Sequence, residues 1–188
     1  RGNQFQLTEA GKNTATQIVR AHRLWERYLA DSTGFKESEW HQQADLLEHT
    51  LSEEELDRLS ASLGNPSHDP HGDPIPTRRG ELIPHQGIPL SDLAPQTWAR
   101  IVHIEDEPEA IYAQIVAEDL HLQMILEVDQ ASPSRIKFWV DEQEHVLAPI
   151  VAANISVIPL NGEAPAQISE GVPLDTLEPG QSGIVTGI

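Results

Sequence analysis

The chain has 188 residues, enough for one domain or two small ones, and its 12 Lys and Arg residues against 30 Asp and Glu residues give a net charge of −18. A field of that sign repels nucleic acid and anionic lipid, and the absence of cysteine excludes disulfides, thiolate catalysis and cysteine-ligated metal sites. Because no apolar run approaches the ~20 residues of a membrane span and no signal peptide is visible, we expect a soluble, cytoplasmic chain.

Three helices are predicted in the first third of the chain. Thr8 is suited to cap the first helix, in which apolar residues recur at helical spacing until Gly34 ends it. The second helix is predicted over residues 37–50. Ser52 and Glu55 form a capping box, which marks the start of the third helix.

The pattern changes after the third helix. Half of the 14 prolines lie between Gly64 and Pro95, which predicts an ordered turn and then a linker. Beyond the linker, short apolar runs predict a helix at 108–119 and strands at 99–104, 123–129, 135–140, 144–147 and 156–160. Closely spaced short strands are typical of a small barrel, and we expect Trp98 and Trp139 to fill its interior.

One segment of the chain is repeated. The residues from 87 to 104 recur from 171 to 188, with six identities that include two prolines, a glycine and two leucines. A period this long indicates a repeated small domain rather than a solenoid, and the second copy stops after its first strand. Since the chain also begins at Arg1 without a methionine, we expect it to be a fragment of a longer protein.

Six metal-ligating side chains lie on the first two predicted helices at spacings that keep each set on one helical face: His22 and Glu26 on the first, and His41, Asp45, Glu48 and His49 on the second. Two helices joined by a short turn pack antiparallel, so the two sets can converge. Charge at that density needs compensation, which a divalent cation supplies. The alternative is a solvated polar face, which is common in so acidic a chain.

Three segments together resemble the diphtheria toxin repressor (DtxR) and MntR family of metal-dependent regulators. They are LTEAG at 7–11, HRLWERYL at 22–29 and NPSHDPHGDPIP at 65–76, together with the Glu48–His49 step. The resemblance implies an α+β multidomain fold, an all-α dimerisation domain followed by a small SH3-like β-barrel. It assigns residues 1–11 to the end of a winged-helix domain and residues 12–80 to the helical metal-binding and dimerisation domain. It assigns residues 86–160 to a FeoA-like barrel, and residues 161–188 to a linker with a truncated second FeoA-like repeat.

The resemblance also implies two metal sites. The primary site would use Asp45, Glu48 and His49, completed by a residue of the winged helix that is absent from this chain. The ancillary site would use His22, Glu26 and His41, with Glu107 and Glu109 of the barrel as candidates to complete it. Members like MntR use a different combination, a binuclear site formed by the equivalents of His22, Asp45, Glu48 and His49.

The expected metal follows from the ligand types. Asp45 lies where relatives carry Cys, Met or Glu, so all the candidate ligands are imidazoles and carboxylates. Such ligands suit Mn²⁺ or Fe²⁺, with Zn²⁺ or Co²⁺ expected to bind in vitro. We expect His68 and His71, in the proline-fixed turn, to cap backbone groups rather than bind metal.

The function implied is a metal-sensing and homodimerisation module of a transcriptional regulator that reaches DNA only through a missing N-terminal domain. Trp25 and Tyr28 are the aromatic residues expected to need a partner surface. The alternative is the cytoplasmic C-terminal regulatory domain of a metal ABC transporter permease. A hydrolase that uses Glu48 and His49 is a third hypothesis, but no candidate base accompanies these ligands, so we expect no enzymatic activity.

Overall fold

A computed structural model describes residues 6–84 and 86–160 of the chain. Three α-helices come first, α1 (Glu9–Ser32), α2 (Glu37–Leu47) and α3 (Glu53–Ser62). An antiparallel sheet follows, formed by β1 (Ile88–Pro89), β2 (Trp98–Ile104), β3 (Ile125–Ala131), β4 (Ile136–Val140), β5 (Gln143–Leu147) and β6 (Ile155–Pro159). The predicted order, a helical region followed by a β domain, is confirmed. The predictions for residues 1–5 and for the repeat at 161–188 lie outside the described residues.

Helices α2 and α3 both pack against α1, which is long enough to contact the two of them. Thr8 caps α1 by accepting a hydrogen bond from the Gly11 N–H at 3.1 Å. Residues spaced along one face of α1 meet α3 and the proline-rich turn in a small core, formed by Ala21, Leu24, Leu56 and Ile75. Another face of α1 packs against α2, and the ligand candidates lie there.

Helix α2 is shorter than the sequence predicts. The prediction runs to residue 50, but the helix ends at Leu47 and Glu48 is its C-cap. The following residues turn, with the Thr50 N–H bonded to the Leu47 carbonyl at 2.9 Å, because Ser52 already caps the next helix. The last turn of α2 therefore unwinds before His49, which changes the direction in which that side chain points.

The β domain is a single six-stranded antiparallel sheet with the strand order β1-β6-β2-β3-β4-β5. Its buried core contains Ile101, Leu126, Phe138 and Val157. Helix α4 (Glu109–Ala117) follows β2, close to the prediction of 108–119, and a short helix α5 (Pro149–Ala152), which the sequence did not predict, precedes β6.

Two expectations concern the surface. Trp139 was expected inside the barrel, but its side chain is 38% exposed and packs under the ammonium of Lys137. It alternates with the buried Phe138 and Val140, so it lies on the outer face of β4. Within the described ranges, no helix is both long and apolar enough to cross a membrane.

Candidate metal centre

Glu26 is the centre of the candidate site. Its side chain is 2% exposed, although it is a carboxylate in the middle of α1. His22, one turn earlier on the same helix, places Nε2 3.1 Å from Glu26 Oε1. His41 on α2 places Nδ1 3.3 Å from the same oxygen and 3.3 Å from His22 Nε2. One buried oxygen is thus shared by imidazoles from two helices.

The second helix adds two carboxylates on the far side of His22. Asp45 Oδ1 lies 3.3 Å from His22 Nδ1, and Glu48 Oε2 lies 3.0 Å from the same nitrogen. Asp45 is one turn beyond His41, as the spacing predicts. The antiparallel packing of α1 and α2 therefore brings together five of the six predicted ligands: His22, Glu26, His41, Asp45 and Glu48.

His71, in the proline-rich turn, extends the cluster beyond the two helices. It is 3% exposed, and its Nδ1 lies 3.9 Å from Glu26 Oε2 and 3.7 Å from Asp106 Oδ2. Neither ring nitrogen makes a hydrogen bond within the described part of the chain. A buried imidazole nitrogen that faces two carboxylates is suited to metal binding, and neither nitrogen caps a backbone group of the described residues, so the structure contradicts the expected capping role of His71.

The cap of the turn is Asp69, which accepts hydrogen bonds at Oδ1 from the backbone N–H groups of His71 and Asp73, both at 2.9 Å. Its second oxygen lies 3.9 Å from Nε of Arg23. Arg23 also donates to the Pro74 carbonyl at 2.6 Å and to Asp73 at 2.9 Å. The turn is therefore attached to α1 one residue from His22.

Asp106 is the ligand candidate that the β domain contributes. It follows β2, and its Oδ2 lies 2.9 Å from His41 Nδ1. The sequence indicated this acidic segment but selected Glu107 and Glu109. Glu107 lies on the solvent side, with Oε1 3.5 Å from His41 Nε2, and Glu109 is exposed at the start of α4. The resemblance did not determine which acidic residue after β2 faces the cluster. The burial of Asp106, which only the structure shows, identifies it.

His49 lies apart from the cluster. Its side chain is 67% exposed, and its Nε2 contacts Glu48 Oε1 at 3.2 Å, whereas Glu48 directs its other oxygen to His22. This position follows from the end of α2 at Leu47. His49 lines a separate cavity of about 650 Å³ with residues from the start of α1 and with Arg79.

The charges of the cluster are strongly coupled. Burial alone would raise the pKa of Glu26, but hydrogen bonds with His22 and His41 outweigh it and lower the pKa to about 2. The hydrogen bond with Glu26 raises the pKa of His41 to about 9 against the effect of burial. Burial raises the pKa of both Asp69 and Asp106, and the nearby Glu26 adds to each shift. Protons on imidazoles thus hold together carboxylates that would otherwise repel one another.

Three overlapping sets of side chains place ligand atoms within 4.8 Å of one another: His22, His41 and Asp45; Glu26, His41 and Asp106; and Glu26, Asp69 and His71. A cavity of about 470 Å³ is lined by members of all three sets, although not by His71. Imidazole nitrogens and carboxylate oxygens are ligands that divalent first-row cations accept, and a cation could replace the protons now shared within the cluster.

Comparison with known proteins agrees with this geometry. A sequence model described as "Iron dependent repressor, metal binding and dimerisation domain" matches residues 8–77. The chain is 43% identical over 76 residues to a probable metal transport system membrane protein of Chlamydia trachomatis, and 44% identical over 72 residues to the iron-dependent repressor IdeR of Mycobacterium tuberculosis. These matches cover 40% and 38% of this chain but 17% and 31% of the relatives, so the chain spans less than a third of either.

The similarity extends into the β domain at the level of structure. A manganese-dependent transcriptional repressor, solved in complex with manganese, superposes with a TM-score of 0.75 at 29% sequence identity. The superposition covers 82% of this chain and 75% of that repressor. Residues 8–77 of this chain are therefore similar to the metal binding and dimerisation domain of iron-dependent repressors, and its described fold is similar to that of a manganese-dependent repressor.

Proposed function

We propose that this chain is the metal-sensing and homodimerisation part of a divalent-metal-dependent transcriptional regulator. The observation that carries the proposal is the buried Glu26 carboxylate, which four side chains from α1, α2, the proline-rich turn and the β domain approach: His22, His41, His71 and Asp106. A buried carboxylate among imidazoles is costly to keep in a fold unless it is compensated, and a divalent cation provides that compensation when it is bound.

The proposed ligands fall into two groups that share Glu26. Toward α2, they are His22, His41, Asp45 and Glu48. Toward the turn and the β domain, they are His71 and Asp106. Asp69 is bound to the backbone through one oxygen, so only its second oxygen remains to face the cluster. His49 would join the first group only if the turn after α2 rearranged or if a preceding domain packed over it.

We propose Mn²⁺ or Fe²⁺ as the physiological metal. Every proposed ligand atom is an imidazole nitrogen or a carboxylate oxygen, and the chain has no cysteine to favour softer metals. The names of the relatives indicate iron and manganese. Zn²⁺ and Co²⁺ are expected to bind in vitro, because they accept the same ligands.

In the proposed regulator, metal binding selects one arrangement of the domains. Without metal, the carboxylates stay close together only while the neighbouring histidines are protonated. A bound cation takes over this role, and it does so only in the domain arrangement that brings all the ligands together. The helical domain would form the homodimer, and an N-terminal winged helix, of which residues 1–11 would be the end, would bind DNA. The FeoA-like barrel at 86–160 would supply Asp106, residues 161–188 would begin a second such unit, and the protein would be cytoplasmic.

Titration calorimetry of the chain with Mn²⁺ tests the proposal. The Glu26→Gln variant keeps the size of the side chain but removes the shared negative charge, so its affinity should fall at least tenfold. Glu118→Gln is the matched control, because Glu118 pairs with His145 at 2.9 Å in the β domain, away from the cluster. Equal affinities of wild type and Glu26→Gln, or an absence of Mn²⁺ binding by the wild type, would contradict the proposal.

The second candidate is a regulatory domain attached to a membrane permease. The observation in its favour is the 43% identity to the chlamydial protein named as part of a metal transport system. The same metal centre would then sense or gate import. Sequence encoded upstream of this chain would distinguish the permease from the regulator, since a series of apolar helices indicates the permease and a basic winged helix indicates the regulator.

The relatives named above are repressors and a transport protein, which supports a non-enzymatic role.

A further inference from the structure

The proline-rich turn lies directly on the backbone of strand β2. The amide of Ile104 donates a hydrogen bond to the His71 carbonyl at 2.9 Å. His103, on the same strand, places Nε2 3.4 Å from Asp73 Oδ2. Two contacts therefore connect the β domain to the turn on either side of Gly72.

Gly72 is the residue that permits this close approach. It is buried, with a φ of +95°, and a Cβ atom at this position would overlap the Val102 carbonyl oxygen and lie 2.9 Å from Cα of His103. Both obstacles are backbone atoms, which cannot move away as a flexible side chain could. Any residue larger than glycine would therefore displace the turn from β2.

Displacement of the turn would move two of the proposed metal ligands, His71 and Asp106. The turn carries His71, whose carbonyl receives the Ile104 hydrogen bond, and β2 leads directly to Asp106. The two side chains face one another across 3.7 Å and meet Glu26 and His41. Their geometry thus depends on the distance between the turn and the strand.

We propose that Gly72 is a positioning residue for the metal centre, which holds His71 and Asp106 at Glu26 by allowing the turn to lie on β2. The inference rests on the proposed function, since it assumes that these side chains bind metal. If Gly72 has this role, the β domain helps to determine metal affinity. By thermodynamic linkage, bound metal must then strengthen the contact between the turn and β2.

The test compares two glycine substitutions in the whole chain. Gly72→Ala and Gly64→Ala introduce the same methyl group at residues with a similar φ, +95° and +80°, but position 64 has no neighbouring atom within 4 Å. Backbone strain is thus matched, and only the contact with β2 differs. We expect calorimetry with Mn²⁺ to give at least a tenfold loss of affinity for Gly72→Ala and a change below twofold for Gly64→Ala.

A His71→Ala background distinguishes positioning from general destabilisation. Because Gly72 positions both His71 and Asp106, the Gly72→Ala change should cost clearly less affinity in the His71→Ala background than in the wild type, since only its effect on Asp106 remains. A second measurement needs no glycine variant: Mn²⁺ should slow hydrogen exchange of the Ile104 amide in the wild type and should not do so in His71→Ala. This measurement decides the question if Gly72→Ala does not fold.

The outcomes separate the inference from the proposed function. If the wild type binds no Mn²⁺, the proposed function is wrong and the inference is wrong with it. If the wild type binds Mn²⁺ and His71→Ala weakens binding, while Gly72→Ala binds normally or the Ile104 amide does not respond to metal, only the inference is wrong.

Discussion

At the scale of single residues, burial separates the ligand candidates that share a sequence motif. Glu48 and His49 are adjacent and are both marks of the family, but Glu48 is 16% exposed and His49 is 67% exposed. Glu48 contacts His22 inside the cluster, whereas His49 lies toward the start of α1. Adjacent residues at a helix end point in different directions, and sequence spacing alone treats them as equivalent.

The two residues should therefore differ in their effect on metal binding. We expect Glu48→Ala to lower the Mn²⁺ affinity of this chain about tenfold, since it removes a charged ligand. We expect His49→Ala to change the affinity less than threefold. Calorimetry on both variants is the measurement, and a larger loss from His49→Ala would mean that the turn after α2 rearranges when metal binds.

The pKa values in the cluster predict how pH affects the metal-free chain. His41 has a pKa of about 9 in the folded chain against an ordinary value of 6.5, so folding favours its protonated form. That contribution to stability is complete below pH 6.5 and is lost as the pH rises through 9. The raised pKa of His22 acts in the same direction. We expect the unfolding temperature, measured with a chelator present, to fall from pH 6.5 to pH 9.

The His41→Gln variant is the control for this pH dependence, because it removes the histidine whose pKa is raised to about 9. Its unfolding temperature should decline less steeply over the same interval. A decline as steep as that of the wild type would show that the alkaline loss of stability arises outside the cluster.

At the scale of elements, the end of each helix depends on what the next element needs. Ser52 and Glu55 form the predicted capping box, with the Ser52 N–H bonded to Glu55 Oε2 at 2.9 Å. The same start signal limits α2, because the chain must leave helical geometry before residue 52. The capping signal was visible in the sequence, whereas its effect on the previous helix required the packed structure.

We expect Ser52→Ala to destabilise the helical domain by about 1 kcal/mol, since the Glu55 N–H in the first turn of α3 loses its side-chain acceptor. Urea unfolding followed by helical circular dichroism measures the change. Ser62→Ala is the control, because its hydroxyl only donates to the Leu59 carbonyl near the other end of the same helix. A cost for Ser62→Ala equal to that for Ser52→Ala would contradict the capping role.

At the scale of the whole molecule, the sequence predicted the fold well and the metal centre in part. Five of the six described strands begin and end within two residues of their predicted limits, because alternating burial leaves a clear pattern. The short strand β1 lies in the segment that was predicted as a turn and linker, and it was missed. The helical half of the cluster was also predicted, from spacings of three and four residues. His71 and Asp106 were not, because the turn and the β2–α4 connection meet only in three dimensions.

The predicted homodimer is a property of the whole molecule, and two aromatic residues of α1 are candidates for its interface. Trp25 and Tyr28 of α1 are each only partly buried within one chain, with their rings 5.6 Å apart. We expect light scattering to give twice the chain mass of 20.8 kDa and Tyr28→Glu to shift the chain toward the monomer. Ile150→Glu, at a 67% exposed position of the β domain, should leave the mass unchanged. A monomeric wild type at tens of micromolar would contradict this prediction.

The most direct test of the account is anomalous diffraction at the manganese edge from crystals of the chain grown with Mn²⁺. The account predicts a manganese peak within bonding distance of a Glu26 carboxylate oxygen, with nitrogen ligands from His22, His41 or His71. A fully occupied manganese peak elsewhere in the molecule, with Glu26 still hydrogen-bonded to protonated histidines, would contradict it.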